Sequence, residues 1–233
     1  MPAHRARRMT VTMMMTATMA ALSGCGGAGG FGESVQLPQE TRVTLQAQFA
    51  EGKPLYFPKD RPFNVFDAQR SSTGGATAKS WSTEGGTALC EASAESVGTA
   101  RAEFQLGQVI DTRAEEPLDV TAVFDLNYEY SVKVDAEDTS KPQDKLAVKV
   151  YISDSDGHVL KRVLLADLGT ATGPKRFSGR EKPSFDVTLE PGLVYHFVVA
   201  GLVEVEATET STASARIDIR SLELELLPRA THR

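Results

Sequence analysis

The dominant pattern from Val35 onward is an alternation of apolar and polar residues with a period of two. Every second side chain is apolar in Val43–Phe49 and again in Ala100–Leu106. Because successive side chains of a strand point to opposite faces, this period predicts strands that bury one face. Further apolar runs are Val120–Val134, Leu146–Ile152, Val159–Leu165, Phe185–Leu189, Leu193–Val205 and Ile217–Leu227. No later segment carries a sustained apolar stripe at helical spacing, so the sequence predicts an all-β chain.

Two turn motifs indicate how these strands connect. Asp156-Gly157 and Pro191-Gly192 each lie between two apolar runs, and such pairs favour the backbone angles of tight turns. We therefore expect two antiparallel hairpins. Sheets with one dry face must bury that face against another dry face, which predicts an antiparallel β-sandwich of the jelly-roll type.

The apolar pattern also sets the predicted boundaries. The sandwich is expected to span residues 35–228, followed by a tail at residues 229–233. Between Gln69 and Gly86 the apolar residues give way to Ser, Thr and Gly around Trp81, so a long polar loop is predicted at residues 69–86. Long loops often carry function, which makes this loop the first place to look for a binding site. Whether residues 35–66 form a separate unit stays open.

The first 24 residues have the layout of an export signal. Arg5, Arg7 and Arg8 precede the uncharged stretch Met9–Ala21. That stretch is too short for a membrane-spanning helix, which needs about 20 apolar residues. Residues 1–24 are therefore predicted to be removed. The Arg7-Arg8 pair leaves twin-arginine export open as the route.

The end of this signal, Leu22-Ser23-Gly24-Cys25, resembles the lipobox of bacterial lipoproteins. That resemblance implies cleavage before Cys25 and attachment of lipid to its thiol, which anchors the protein at the membrane. Residues 25–34 are then the anchor and a Gly-rich tether. Because Gly26 rather than Asp follows the anchor, the outer membrane is the expected location in a Gram-negative cell envelope.

The chain has two cysteines, Cys25 and Cys90. If Cys25 carries lipid, Cys90 has no partner and is expected to be a small buried apolar residue. Two alternatives stay open: a Cys25–Cys90 disulfide in the mature chain, and a cysteine that follows an ordinary export signal by chance.

Charge and motifs limit the function classes. The formal net charge of −6 gives the wrong sign for binding phosphate backbones, so no nucleic-acid partner is expected. His158 and His196 stand outside any spaced ligand pair, and no nucleophile elbow, P-loop or dinucleotide motif occurs. We expect no enzyme activity and no cofactor beyond the lipid. A calcium ion at Asp154 and Asp156 is an alternative to plain turn chemistry.

The segment from Phe185 through Pro191-Gly192 to Val199 is similar to jelly-roll carbohydrate-binding modules, with the likeness extending over Ala88–Pro228. This resemblance implies that exposed aromatic rings bind sugars, and the candidates are Trp81, Tyr128 and Tyr130; the alternative for the two tyrosines is a place at the edge of the core. The main hypothesis is a lipid-anchored envelope protein that engages another envelope protein or a surface assembly. The alternatives are a carbohydrate-binding module and, if carboxylates converge in a cleft, a hydrolase.

Overall fold

The computed structural model describes residues 43–44, 52–112, 116–136, 144–169 and 174–229. The predicted export signal (1–24), the anchor Cys25 and the tether (25–34) lie outside these ranges. All described residues belong to one unit, Phe31–Arg233. Within the described ranges, no helix is long and apolar enough to cross a membrane.

The regular structure of the described chain consists of strands. They are β1 (Val43–Thr44), β2 (Leu55–Phe57), β3 (Val65–Ser72), β4 (Ala76–Ser82), β5 (Ala88–Ala94), β6 (Gly98–Asp111), β7 (Leu118–Ala136), β8 (Asp144–Asp154), β9 (Val159–Leu168), β10 (Lys175–Glu181), β11 (Ser184–Leu189), β12 (Val194–Ala207) and β13 (Ser211–Pro228).

The strands form two packed sheets. Sheet I has the order β1-β6-β12-β8-β9, with β3 also paired to β6. Sheet II has the order β10-β7-β13-β5-β4, with β11 paired to β7 and β2 paired to β13. Among the described strands every pairing is antiparallel except that of β1 with β6. The predicted antiparallel β-sandwich is therefore confirmed.

Alternation along each strand builds the core between the sheets. In β13, Leu222, Leu224 and Leu226 are at most 1% exposed, whereas Glu223 between them is exposed. In β12 of the other sheet, alternate residues such as Val199 and Val203 belong to the same core cluster as these leucines. Each fully buried aliphatic side chain stabilises the fold by about 1.5 to 3 kcal/mol relative to exposure. Cys90 faces this core with a free thiol and is 0% exposed, as its apolar role predicted.

The prediction of a polar loop at residues 69–86 is wrong, because most of this segment belongs to β3 and β4. In this segment, small side chains occupy positions at which other strands carry large apolar ones. The hydroxyl of Ser80 donates to the carbonyl of Gln69 at 2.9 Å, and that of Ser82 donates to the carbonyl of Asp67 at 3.1 Å. Hydroxyl-to-backbone bonds thus join β4 to β3 along one edge of the sandwich.

One of the two predicted hairpins is present and the other is not. Asp154–Gly157 turns the chain from β8 into β9, which pair as neighbours. The Pro191-Gly192 turn instead leads from β11 in sheet II to β12 in sheet I. Turn residues identify a reversal of the chain, but the partner of each strand depends on the whole sheet.

The described part of residues 35–66 belongs to the same sandwich. β2 pairs with β13 in sheet II, and β3 pairs with β6 in sheet I. Both sheets therefore use strands from this region, and residues 52–66 do not form a separate unit.

Candidate functional site

Tyr128 and Tyr130 lie on the inward side of β7. Tyr128 is 1% exposed, and its hydroxyl donates to the Glu181 carboxylate at 3.2 Å. Burial, followed by the charge of Glu181, raises the pKa of Tyr128. The ring of Tyr130 stacks on Phe177 with centroids 5.6 Å apart. This placement agrees with the interpretation of both tyrosines as core-edge residues and presents neither ring as an open platform.

Asp154 and Asp156 belong to the β8–β9 turn. One oxygen of Asp154 accepts hydrogen bonds from the backbone N–H groups of Asp156 and His158, each at 2.9 Å. Its other oxygen lies 3.0 Å from Nδ1 of His158. These bonds hold the turn by the Asx chemistry expected of Asp-rich hairpins. Across the described residues, no group of three or more His, Cys, Asp or Glu side chains is arranged to hold a metal ion.

The outward side of sheet I carries a second buried apolar cluster. Its members, none more than 1% exposed, are Val65, Val109, Tyr151, Val198 and Ala200. His196 points to the same side of β12 and is 5% exposed. Buried side chains cannot contact a ligand from solvent, so these described residues of sheet I offer no open aromatic platform.

The outward side of sheet II differs because it presents Trp81. This residue lies in β4, is 39% exposed, and is directly opposite Leu89 of β5. Ala88 and Cys90, the chain neighbours of Leu89, face the core, so Leu89 itself points outward. Yet Leu89 is only 3% exposed. Directly opposed side chains in an antiparallel pair are about 5 Å apart, so the indole is placed to cover Leu89.

The register continues from Trp81 across three more strands. Leu89 lies opposite Asp218 of β13, and Asp218 lies opposite Glu129 of β7. We call the part of this outward surface that surrounds Trp81 the Trp81 face. It is defined by the outward side chains of Trp81, Leu89, Lys79, Glu91, Glu129, Lys133, Arg176, Arg216, Asp218 and Arg220.

Ion pairs order the middle of the Trp81 face. Arg216 donates to Asp218 at 2.7 Å and to Glu91 at 3.2 Å. These contacts, led by the hydrogen bond to Asp218, raise the pKa of Arg216. Arg220 donates to Glu129 at 2.5 Å from a position where the β13 register shifts. The half-exposed indole therefore shares its face with guanidinium and carboxylate groups that are already oriented, and Asp218 is two strands away from it.

Clefts lie beyond both ends of this ordered region along β13. One has a volume of about 490 Å³ and is lined by residues that include Ser93, Lys133 and Ser214. Another has a volume of about 260 Å³ and includes Tyr56 and Ser221. The second cleft opens where β5 has ended and β2 has not yet begun to pair with β13. The outward surface of sheet II thus has room for an extended ligand.

Asp125 lies further along β7, near the second cleft. Arg180 donates to it at 2.6 Å, and Lys182 lies 3.5 Å from the same carboxylate. The hydrogen bond from Arg180 is the main reason that the pKa of Asp125 is lowered. This carboxylate is thus kept ionised, which suits an anchor for cations and not a proton donor.

Trp81 is the one sequence-predicted sugar-binding candidate that the structure leaves open to solvent. Sequence reasoning missed its neighbours Leu89, Arg216, Asp218 and Glu129. A signal was present in β13, where Arg216, Asp218 and Arg220 alternate with apolar residues. Only the strand register brings these residues to the same face as Trp81.

No protein-family profile matches the chain, and no curated protein matches it. Among solved structures it is similar to the enzymatically active domain of bacteriophage CBA120 tailspike protein 4, at 14% identity and a TM-score of 0.23 over 67% of this chain and 19% of that chain. It thus spans about a fifth of the tailspike chain. It is also similar to TmCBM61 in complex with β-1,4-galactotriose, at 12% identity and a TM-score of 0.26 over 71% and 91% of the two chains. The family 11 carbohydrate-binding module of Lic26A-Cel5E from Clostridium thermocellum matches at 8% identity and a TM-score of 0.22 over 78% and 98%.

Proposed function

We propose that this β-sandwich is a binding module whose Trp81 face takes up glycans. The observation that carries the proposal is the 39% exposed indole of Trp81, which lies opposite the buried Leu89 on the outward side of sheet II. The C–H groups on one face of a pyranose ring are weakly positive, and the face of an indole is negative, so the two stack. Stacking on a ring that is already in place costs little conformational entropy.

Other groups on the Trp81 face supply hydrogen-bond partners for the hydroxyl groups of a sugar. Hydroxyl groups both donate and accept hydrogen bonds, so a sugar site needs both kinds of partner. Arg216 supplies donors, while Asp218 and Glu129 supply acceptors, with side-chain exposures of 43%, 21% and 22%. The ion pair of Arg216 with Asp218 and that of Arg220 with Glu129 hold these side chains in place before a ligand arrives, which favours binding by preorganisation.

The proposed module acts at the cell envelope, held by lipid on Cys25. Support comes from the sequence, where Leu22-Ser23-Gly24-Cys25 follows a charged and then an uncharged stretch. In a Gram-negative host the outer membrane is the proposed site. The proposed role is binding without catalysis. Intact-mass measurement of the envelope form tests the anchor, since Cys25→Ser must then abolish the acyl mass.

The glycan proposal can be tested by intrinsic fluorescence because the chain has a single tryptophan, Trp81. Titration with a panel of soluble polysaccharides should give a saturable change in its emission. Trp81→Ala removes the reporter, so its affinity is measured by calorimetry. We expect a loss of about tenfold or more, which corresponds to about 1.4 kcal/mol.

Phe66→Ala is the matched control variant. Phe66 is 49% exposed and lies in β3 of sheet I, so it is not part of the Trp81 face. It should leave glycan affinity unchanged. If no polysaccharide of the panel binds, or if Trp81→Ala and Phe66→Ala bind as well as the parent protein, the proposal is wrong. Capture of an envelope protein in the absence of glycan would then favour the protein-engagement hypothesis.

A further inference from the structure

Three cationic side chains of the Trp81 face stand outside its ion pairs, although Glu91 lies directly opposite one of them, Lys79. Lys79, Lys133 and Arg176 are exposed and make no ion pair with any other residue that the structure describes. The carboxylates of the face do not offset them. Glu91 and Asp218 are paired with Arg216, and Glu129 is paired with Arg220. The face therefore presents free positive charge next to its indole ring.

Around Trp81 the sign of the surface charge is opposite to that of the whole protein, while further carboxylates, among them Asp135 and Glu223, lie outside the Trp81 face on the same side of sheet II. The full chain has a formal net charge of −6. Among the described residues of the Trp81 face, five are cationic and three are carboxylates. A local positive field in an acidic protein attracts anions and raises their local concentration.

The positions of the three cations fit a ligand longer than one sugar ring. Lys79 lies two residues before Trp81 on the same side of β4. The register runs from Lys79 through Glu91, Arg216 and Ser131 to Arg176 across five strands. With strands about 4.8 Å apart, Lys79 and Arg176 are separated by about 19 Å.

Lys133 marks one end of the positive surface, because Glu95 and Asp135 also line the cleft there. It lies two residues after Ser131 on the same side of β7 and lines the cleft of about 490 Å³. A chain that stacks on Trp81 and crosses β13 thus meets a cation on each side and another at the cleft.

We infer that the ligand of the Trp81 face is an acidic polysaccharide, whose carboxylate or sulfate groups pair with Lys79, Lys133 and Arg176 while a sugar ring stacks on Trp81. This inference rests on the proposed glycan-binding function. Lysine and arginine both form charge-assisted hydrogen bonds with such anions, and these bonds are stronger than those between neutral groups.

The test compares three polymers by Trp81 fluorescence: polygalacturonate for carboxylates, dextran sulfate for sulfates, and unmodified dextran as the neutral reference. At low salt, one of the two acidic polymers should bind about tenfold or more tightly than dextran, and which one binds identifies the anion. The advantage should shrink as the salt is raised to about 0.5 M, where the Debye length falls to a few ångströms.

A triple variant, Lys79→Gln with Lys133→Gln and Arg176→Gln, should remove most of the preference for the acidic polymer. The control is Arg70→Gln with Lys161→Gln and Arg162→Gln, which removes the same charge from exposed positions on sheet I. The control should keep the preference, because it alters only the net charge of the protein.

The outcomes separate the inference from the proposed function. Trp81-dependent binding of all three polymers with equal affinity overturns the acidic ligand and leaves glycan binding standing. Absence of any Trp81-dependent binding overturns the proposed function. If the two triple variants lose affinity equally, the attraction is a property of the net charge, and the assignment to these three residues is wrong.

Discussion

Trp81 in β4 and Leu89 in β5 face each other across an antiparallel ladder on the outward side of sheet II. Leu89 is 3% exposed although it points away from the core, whereas Trp81 is 39% exposed. The indole therefore has two roles, since it shields an apolar side chain from water on one side and faces solvent on the other.

This pairing predicts a measurable effect on stability. Trp81→Ala uncovers Leu89 and should lower the free energy of unfolding by about 1 to 2 kcal/mol. Trp81→Phe keeps a ring over Leu89 and should cost less than the alanine variant. Urea denaturation of the three proteins measures the difference. Equal stability of the alanine variant and the parent would show that the indole does not cover Leu89.

The sequence predicted those strands in which large apolar residues alternate with polar ones. In β7 and β13 the alternation of residues such as Phe124 and Leu224 marks the buried side clearly. β4 was missed because its inward residues are Ala76, Ala78 and Ser80, which differ little in hydropathy from the polar residues between them. Small inward side chains give no periodic signal, although they bring β4 close to its neighbours.

From the sequence, the candidate site could be predicted only through the type of one residue, Trp81. An exposed tryptophan was a reasonable candidate for sugar binding, but the sequence could not place Arg216 and Asp218 beside it. Residues 81 and 218 share a face only because of the registers of β4 with β5 and of β5 with β13. The register shift between Ile219 and Ser221 also has no distinct sequence signature.

A buried carboxylate predicts how stability depends on pH. Asp144 begins β8, points to the core side opposite Val205, and is 2% exposed. Neither of its carboxylate oxygens has a hydrogen-bond partner among the described groups. Burial raises its pKa from 3.8 to about 7. The folded state therefore holds a proton that the unfolded state has released between these two pH values.

This proton makes the folded state lose stability as the pH rises from about 4 to about 7. The contribution of one such group is at most about 1.4 kcal/mol per pH unit. Asp144→Asn is neutral at every pH, so its unfolding free energy should decline less steeply than that of the parent in this window. Denaturation curves at several pH values measure both slopes, and parallel slopes would exclude a role for Asp144.

Gly86 is predicted to be intolerant of a side chain. Its φ is +88°, and a Cβ atom there would stand 2.6 Å from the carbonyl oxygen of Leu222. Gly157 has a similar φ of +84° but no atom within 4 Å of its Cβ position. Gly157→Ala should therefore report the backbone strain alone, about 1 kcal/mol.

Gly86→Ala adds a steric clash to that strain and should cost at least about 1 kcal/mol more than the Gly157 variant. Thermal unfolding of both variants gives the comparison. Equal destabilisation would mean that β13 moves away from the added methyl group without a cost in free energy.

Cys90 should be unreactive in the folded protein. It is 0% exposed, and burial together with the charge of Glu103 raises the pKa of its thiol. In a Cys25→Ser background, a thiol reagent should modify Cys90 only at the rate of unfolding. Cys90→Ser should cost about 1 to 3 kcal/mol because it buries a polar hydroxyl in the apolar core, while Cys90→Ala should cost less. Rapid modification under native conditions would contradict the core assignment.

Affinity electrophoresis tests the central claim most directly, because it needs no fluorescent reporter. The parent protein, Trp81→Ala and Phe66→Ala are run side by side in gels with and without polysaccharide. Glycan binding at the Trp81 face predicts that the polysaccharide retards the parent and Phe66→Ala equally and leaves the mobility of folded Trp81→Ala unchanged. Retardation of all three proteins to the same extent would contradict the claim.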